Sequence, residues 1–486
     1  MTAVLLLMVI VPALGAVLAG VLGKGRARIA AVAVAAAVAA LAVWSVAAVF
    51  GTSYRAAVGT LPWLQDAVDG PVFGVFLDPL GSVLLLVATL IGFLTVLYSA
   101  AYMGEGNRDH AVGPALQGPY YFRLLLFLAS MVGVALAPNF LQLFLFWELT
   151  TVCSWSLIAF YGNEKSLRAG FKALLITHIG GLFFLLAVLI LFVRTRSFEF
   201  GALAQLPESL RRWVFLFLMI AAWAKAAQVP FHTWLPDAME APTPISAYLH
   251  AAAMVKAGVF LMARAVSSGW VMPPALGMLL GAMALVTMFL ALSYYFVQDD
   301  LKRLLAYSTI AHLGYVLLGV ALGALGSTTG FRGGVLHIAC HGFSKATLFL
   351  CAGAIAYATG TRSISALGGL ARSMPLTAVA FFVGLLAVTG VPPFACFWSK
   401  FMLLAGAMKL GGIVGPVLVG LVLVESLISF GWMLRVGQKI FLGPVTPLAA
   451  VKSDPPWPMS ATLVALMVAC LVIPAVAIPL VQLIGR

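Results

Sequence analysis

Apolar runs of about 20 residues follow one another from end to end of the chain, separated by short polar segments. A helix of this length crosses the hydrocarbon core of a bilayer. The runs lack the strict alternation of apolar and polar positions that is typical of strands. The pattern therefore predicts an all-α polytopic membrane protein with about fourteen transmembrane helices. The first run lacks the basic start and the cleavage site of a signal peptide, so we expect it to remain as a span.

Two of the predicted spans, the seventh and the twelfth, are interrupted by proline. The first interruption, residues 225–236, reads KAAQVPFHTWLP, and the second, residues 391–400, reads VPPFACFWSK. Proline removes backbone hydrogen bonds, and unwound backbone at membrane depth persists only where protein or water satisfies it. Paired broken helices in the two halves of a chain point to the ion site of a transporter. The predicted spans start near residues 2, 29, 77, 120, 139, 168, 213, 244, 272, 303, 333, 374, 413 and 458.

The two interruptions resemble each other in sequence. Val-Pro-Phe at 229–231 and Val-Pro-Pro-Phe at 391–394 are each followed by a tryptophan, and each has a lysine close by. This similarity predicts two five-helix repeats, which must be inverted because each holds an odd number of spans. The alternative is a pair of unrelated proline kinks. The predicted division of the chain is helices 1–3 in residues 1–118, the first repeat (helices 4–8) in 119–268, the second repeat (helices 9–13) in 269–440, and a loop with helix 14 in 441–486.

Composition and charge agree with a membrane protein. The chain is 63% hydrophobic and only 9% charged, with a mean hydropathy of +1.10. Most Lys and Arg outside the spans, Lys302 among them, fall on odd-numbered loops. These loops are therefore predicted to be cytoplasmic, with both termini outside. The net charge of +13 reflects this topology, and nothing points to nucleic acid. The alanine- and glycine-rich composition indicates a bacterial cytoplasmic membrane.

Cofactor chemistry has no signal in the sequence. The five cysteines are scattered through apolar spans and form no CxxC pair, and no Walker or GxGxxG motif occurs. We therefore expect no metal and no cofactor in this chain, and any redox chemistry would belong to other chains.

Ionisable residues inside the spans are the candidate functional residues. A charge at the centre of a bilayer costs roughly 2.5–3.5 kcal/mol on insertion scales, and such residues normally line ion or proton pathways. Their number predicts that the chain moves charge through the membrane. The set comprises Glu148, Lys225, His250, Lys256, His312, His337, His341, Lys345, Lys400 and Glu425.

Glu148 stands alone in the apolar sequence FLFWELT, residues 144–150. Burial would neutralise it unless an ammonium lies nearby, and Lys225 is the candidate partner. A Glu–Lys pair that opens and closes can release and recapture a proton, because each charge stabilises the other. The alternative is a static structural ion pair.

His337, His341 and Lys345 are spaced i, i+4 and i+8, which places them on one stripe of a helix. A row of histidines that ends at a lysine suits proton relay, because imidazole both accepts and donates protons near neutral pH. His312 could feed this stripe from the cytoplasmic half. A metal site and ordinary hydrogen-bonded core histidines are the alternatives.

The remaining candidates have less defined surroundings. His250 and Lys256 lie six residues apart on the eighth span and therefore on different faces. Lys400 follows the second interruption and is predicted to hold the last proton. The candidate partners of Glu425 are Lys256 and Lys400, and the sequence does not distinguish between them. His178 and His232 lie nearer to span ends or breaks, so we rank them below the other histidines.

Several of these segments resemble one family. They are WEL at 147–149, Lys225 with WLPDAMEAPTPISAYLH at 234–250, MVKAG at 254–258, DLKRLLAYST at 300–309, and His341 with Lys345. They are similar to the antiporter-like subunits of respiratory complex I, of Mrp-type sodium/proton antiporters, and of membrane-bound energy-converting hydrogenases and formate hydrogenlyases. The resemblance covers roughly residues 75–445. It implies fourteen helices, two inverted five-helix repeats and a central hydrated axis of charged residues.

The resemblance also implies roles for individual residues. Glu148 and Lys225 would be a paired switch, Lys345 the central lysine and Lys400 the exit lysine, with His250 and His337 on the same axis. The chain would conduct protons, or exchange sodium for protons, in a complex with other membrane subunits, including further antiporter-like subunits and a redox module. An alternative is the proton-conducting subunit of an inorganic-carbon uptake complex with a soluble zinc partner. A scaffold that has lost transport is a second alternative.

Overall fold

The protein is represented by a computed structural model that describes residues 1–22, 24–60, 68, 71–450 and 454–485. The described part is mainly helical, with one pair of short strands. The helices are α1 Thr2–Leu22, α2 Lys24–Ala48, α3 Pro79–Tyr102, α4 Pro114–Leu136, α5 Phe140–Ile158, α6 Glu164–Thr195, α7 Glu208–Lys225, α8 Trp234–Asp237, α9 Thr243–Ala251, α10 Met254–Ser267, α11 Pro274–Tyr295, α12 Leu301–Ala324, α13 Thr328–Thr359, α14 Pro375–Thr389, α15 Ala395–Met408, α16 Val414–Gly437 and α17 Trp457–Gln482, and the strands are β1 Tyr54–Gly59 and β2 Phe73–Leu77.

Twelve helical segments of the described residues are long and apolar enough to cross a membrane, with α9 and α10 forming one of them. The predicted helical membrane fold is therefore confirmed. The helices begin within a few residues of the predicted starts, and the largest difference is at α4, which begins at Pro114. That start precedes the predicted boundary at residue 119. The count of fourteen spans, the division of the chain and the two inverted repeats stay predictions.

The helices are interrupted where the prolines predicted it. Helix α7 ends at Lys225, and Ala227 then adopts a left-handed φ of 50° before the short helix α8. Helix α14 ends at Thr389, followed by Gly390 at φ 89°, and α15 begins at Ala395. Glycine takes up the left-handed conformation without a steric penalty, and such a residue is a common helix terminator. Each break therefore places a lysine, Lys225 or Lys400, beside backbone that has left the helix.

The strands β1 and β2 pair antiparallel and add a small sheet to the predicted all-α architecture. Tyr54 lies opposite Leu77 in the register. The sheet is attached to the start of α5, because the Gln142 side chain both accepts from and donates to the backbone of Gly74, each at 3.0 Å. This strand pair was not among the sequence-based predictions.

Helices α9, α10, α12 and α13 form the buried centre of the described structure. Glycines bring α13 into backbone contact with its neighbours. A Cβ at Gly334 would lie 2.9 Å from the Cα of Gly319 on α12, and one at Gly333 would lie 2.6 Å from the backbone nitrogen of Leu403 on α15. Small residues at helix interfaces allow such close approach in membranes. Helix α13, which carries the predicted histidine stripe, is thus closely packed against both α12 and α15.

Candidate functional site

The first half of the predicted pathway lies between α5, α6 and α7. The Nδ1 atom of His178 is 2.8 Å from Oε2 of Glu148. Lys225 is fully buried, and its Nζ donates to the Trp147 carbonyl and to Thr151 Oγ1, both at 2.7 Å. In the part of the chain that the structure describes, Glu148 and Lys225 make no direct ion pair. The expected contact is therefore absent here, and His178, which we ranked low, is the partner of Glu148.

Gly181 explains the direction of the Glu148 side chain. A Cβ at position 181 would overlap Oε1 of Glu148. Because α6 has no side chain at this point, the carboxylate fits against its backbone and reaches His178, which lies one turn earlier on the same helix. The side chain of Glu148 is 23% exposed and that of His178 is 53% exposed, so this pair lies at the edge of the described structure.

The histidines form a buried cluster to which four helices contribute. The Nζ atom of Lys256 on α10 donates to Nδ1 of His341 at 2.7 Å. His312 on α12 is 3.0 Å from His337, with the two rings stacked, and His337 Nδ1 is 2.8 Å from Oγ of Ser399 on α15. The histidine part of the predicted stripe on α13 therefore contacts groups from three other helices. The hydrogen bonds join these side chains into two short chains within one cluster.

A second cluster surrounds Lys400. Its Nζ lies 4.6 Å from the centre of the Tyr315 ring and donates to the Thr389 carbonyl at 3.0 Å and to Ser426 Oγ at 2.9 Å. The Tyr315 hydroxyl donates to Glu425 Oε2 through a short hydrogen bond and lies 2.8 Å from Ser426 Oγ. Of the two partners considered for Glu425, the structure thus places it in the Lys400 cluster.

Tyr315 connects the two clusters, and sequence reasoning missed it. Its ring packs against those of His312 and His337, with centroids 5.4 and 5.3 Å away, while its hydroxyl contacts Glu425. The available signal was its position three residues after His312, which places both on one face of α12. An uncharged tyrosine is common in apolar helices, so Tyr315 did not stand out as the lysines and histidines did.

Two predicted axis residues have sparse contacts. Lys345 is fully buried, and its Nζ donates to the Leu305 carbonyl at 3.2 Å. His250 is also buried and packs against Phe349 at 4.7 Å, but neither ring nitrogen has a hydrogen-bond partner among the described residues. The same holds for Nε2 of His341. Buried polar groups that the protein does not satisfy are normally hydrated.

Two further buried cations were not predicted. Lys302, which its sequence position assigned to a loop, lies in the first turn of α12, where it is 1% exposed and donates to the Ala241 carbonyl at 2.7 Å. Its predicted cytoplasmic side stays a prediction. Arg264 is 3% exposed and binds Asp78 through both terminal nitrogens, at 2.5 and 2.7 Å. Both residues lie near the ends of spans, where neighbouring segments cover them. Burial acts to raise the pKa of the Asp78 carboxyl, but the Arg264 guanidinium and the Gly81 amide hold it below its usual value.

In the described ranges, no three His, Cys, Asp or Glu side chains lie together as a set of metal ligands. The expectation that this chain holds no metal or cofactor of its own stays a prediction.

Comparison with known proteins identifies the family. Residues 137–429 match the family profile described as NADH:quinone oxidoreductase/Mrp antiporter, transmembrane. Residues 64–110 match the profile described as the N-terminus of chain 5 of NADH-ubiquinone oxidoreductase, complex I. The chain belongs to this family. The resemblance inferred from the motifs is therefore confirmed.

The relatives include both branches in that description. The chain is 37% identical over 368 residues to NAD(P)H-quinone oxidoreductase subunit 5 of the Chara vulgaris chloroplast, covering 72% of this chain and 53% of the relative. It is 36% identical over 426 residues to Na(+)/H(+) antiporter subunit A1 of Staphylococcus haemolyticus, covering 81% of this chain and 51% of the relative. The chain thus spans about half the length of these curated relatives.

Two solved structures share the fold of this chain. A chain of the Mrp complex from Dietzia sp. has a TM-score of 0.86 and 31% identity, covering 99% of this chain and 52% of that one. A chain of an archaeal membrane-bound sulfane sulfur reductase has a TM-score of 0.84 at 23% identity, covering 96% of this chain and 75% of that one, and shows the shared fold. Both of these solved chains are parts of larger complexes.

Proposed function

We propose that this chain translocates protons, or exchanges sodium for protons, as one subunit of a larger membrane complex. The observation that carries the proposal is the set of buried lysines and histidines that lies between the partly exposed Glu148 and the buried Glu425. Each charge costs roughly 2.5–3.5 kcal/mol at membrane depth. A protein that only needed stability would lose little by replacing such groups with apolar ones. Membership of a family that includes Mrp antiporters and quinone oxidoreductases supports the same function.

The first step of the proposed path is a switch at Glu148. In the described structure this carboxylate contacts His178, whereas Lys225 donates only to uncharged oxygens. We take this arrangement as the open state of the switch. Turning Glu148 toward Lys225 would favour the charged lysine, and turning it away would favour release of the proton. The exposed position of His178 makes it the group through which a neighbouring subunit can act on the switch.

The second half of the path would carry the charge through the two clusters. Lys345 receives it as the central lysine, and the pairs Lys256–His341 and His312–His337 provide acceptors at hydrogen-bonding distance. Imidazole can take a proton on one nitrogen and release one from the other. Tyr315 then leads to Lys400 and Glu425. Unsatisfied polar atoms such as those of His250 support water molecules in the remaining gaps.

The surroundings of the chain are also part of the proposal. We place it in a bacterial cytoplasmic membrane with both termini outside, beside other antiporter-like subunits and a redox module. Mass spectrometry of the complex purified from its native membrane tests this. Subunits with iron–sulfur, nickel or quinone sites would support the redox module. Small membrane subunits alone would indicate a stand-alone antiporter, and a soluble zinc protein would favour inorganic-carbon uptake.

The decisive experiment replaces three buried lysines one at a time. Lys225→Ala, Lys345→Ala and Lys400→Ala are each expected to lower proton transport by the reconstituted complex at least about tenfold, which corresponds to a barrier increase of ~1.4 kcal/mol. Lys409→Ala is the matched control, because Lys409 is exposed and its Nζ donates to the hydroxyl of Thr329 at the surface. A pH-sensitive dye inside the vesicles reports transport, and native gels report assembly. Normal transport by all three assembled variants would overturn the proposal.

A further inference from the structure

A cavity of about 800 Å³ lies where several helices end together. Helix α2 ends at Ala48, α3 begins at Pro79, α10 ends at Ser267 and α17 ends at Gln482, and residues at or next to these ends line the cavity. Ends of spanning helices mark the boundary between the hydrocarbon core and the head groups. Trp270, which is 39% exposed, also lines the cavity, and tryptophan is enriched at this level of a membrane.

The wall of the cavity carries two ion pairs. Arg264 binds Asp78, and Arg55 forms a short ion pair with Glu199. Arg264 is almost completely buried, and its Nε has no hydrogen-bond partner in the described ranges. The cavity therefore presents two cations and two carboxylates at one place, with no net charge among them.

A groove of about 410 Å³ adjoins this cavity and has an entirely different character. Its lining is apolar and includes Val43 and Phe50 of the α2 segment, Phe343 of α13, and Val472 and Leu480 of α17. Phe50 is followed directly by Gly51 in the cavity wall, and Leu480 lies about one helical turn before Leu483 in the same wall. The polar cavity and the apolar groove thus share the segments around the ends of α2 and α17, with the cavity at the membrane surface and the groove at membrane depth.

We propose that the cavity and the groove together bind one phospholipid with a zwitterionic head group. The phosphate would contact Arg55 and Arg264, the positively charged group would face Asp78 and Glu199, and one acyl chain would lie in the groove. Equal numbers of cations and carboxylates match a head group that carries both charges. An anionic head group would leave the carboxylates opposed to a like charge. Because lipid tails are as apolar as the groove, selectivity would come from the head group.

This site is separate from the proposed proton path, but it touches the same helix. Phe343 lies between His341 and Lys345 in sequence, and a two-residue step turns about 200° around a helix. The histidine face of α13 and the groove face are therefore opposite each other. An acyl chain in the groove would pack against the side of α13 that faces away from the histidines.

The test measures lipid labelling and needs no transport assay. The complete complex is reconstituted in phosphatidylglycerol vesicles that contain phosphatidylethanolamine with a photoactivatable acyl chain. Labelling of the α2 and α17 segments is expected. Val472→Trp fills the groove and should lower this labelling about tenfold, the ratio that a loss of ~1.4 kcal/mol produces. Val286→Trp is the control, since Val286 has a similar exposure, 51% against 49%, on the distant helix α11.

A second labelling experiment tests whether the site selects a zwitterionic head group. Photoactivatable phosphatidylglycerol in phosphatidylethanolamine vesicles should label the groove more weakly than the reverse mixture, and Arg55→Gln should reduce that difference. Arg55 is half exposed, so this variant does not disturb the interior as a change at Arg264 would. Equal labelling of Val472→Trp and Val286→Trp would overturn the site. Labelling that does not depend on the head group would also overturn it.

Discussion

Replacing Gly181 by alanine tests whether the position of the Glu148 carboxylate matters for transport. The added methyl group would occupy the space of Glu148 Oε1, and the backbone of α6 lies within a long regular helix that cannot yield easily. The carboxylate must therefore move by about 1 Å or more to restore ordinary contact distances. That movement breaks or lengthens the 2.8 Å contact with His178.

The expected loss follows from two contributions. A hydrogen bond to a charged group is worth about 1.5–3 kcal/mol when buried, but His178 is 53% exposed and solvent reduces this to ~1 kcal/mol or less. Misplacing a reacting group by about 1 Å can cost on the order of a hundredfold in rate. We therefore expect Gly181→Ala to reduce proton transport by about tenfold to a hundredfold, mainly through misplacement.

The assay is proton uptake by vesicles that contain the reconstituted complex. Gly431→Ala is the matched control, because it makes the same change within the spanning helix α16, and a Cβ at Gly431 would meet nothing within 4 Å. Both variants should assemble. Glu148→Asp alone should also lower transport, because the shorter side chain withdraws the carboxylate from its position by about one C–C bond, ~1.5 Å. Wild-type transport by the assembled Gly181→Ala variant would refute the assigned role of Glu148.

Two further predictions follow from the polar contacts. Tyr315→Phe keeps the ring against the histidines but removes the donor to Glu425, so we expect a loss of about 1.5–3 kcal/mol at that contact. If the whole loss falls on the barrier, transport slows by about tenfold to a hundredfold. Tyr315→Leu should be slower still, and equal rates for wild type and Tyr315→Phe would argue against a proton step through the hydroxyl. The pKa of Asp78 is lower in the folded protein than in the unfolded chain. The ionised carboxylate therefore stabilises the fold at pH values above the unfolded-state pKa of ~3.9, and this stabilisation is lost as the pH falls through the folded-state pKa. Asp78→Asn should lower the free energy of unfolding by about 3–5 kcal/mol at neutral pH, because Arg264 loses its charged partner. The unfolding temperature of this variant should also fall less steeply at acid pH than that of the wild type. An unchanged dependence of the unfolding temperature on pH would contradict this.

The membrane fold and the breaks were predictable because both depend on local sequence. Long apolar runs predict helices, and the prolines after Lys225 and before Lys400 mark where they stop. The hairpin of β1 and β2 was missed because its strands are short and are stabilised by contacts with α5, such as that of Gln142 with Gly74. Contacts between distant segments leave no pattern in the sequence of either segment alone.

The candidate site was predictable by residue type but not by partner. Buried lysines and histidines stand out in an apolar chain, so Lys256 and His341 were both singled out. Their contact depends on the packing of α10 against α13, which a single sequence does not encode visibly. Glu148 was paired with the nearest unusual lysine, while its contact, His178, depends on the missing side chain of Gly181. Lys302 was assigned to a loop because it lies at the very start of a span. In the folded structure it belongs to the first turn of α12, and the segment that contains Ala241 covers it.

The glycine contacts of α13 set the mechanics of the second half of the molecule. Backbones that touch through Gly334 and Gly333 leave no side chains between them to rearrange, so α13 cannot slide past α12 or α15 without a collision. Charge movement along α13 is therefore expected to use side-chain rotations rather than helix displacements, which take microseconds to milliseconds. If transport requires helix displacements, we expect them in the two interrupted helices, which would move against a fixed α13.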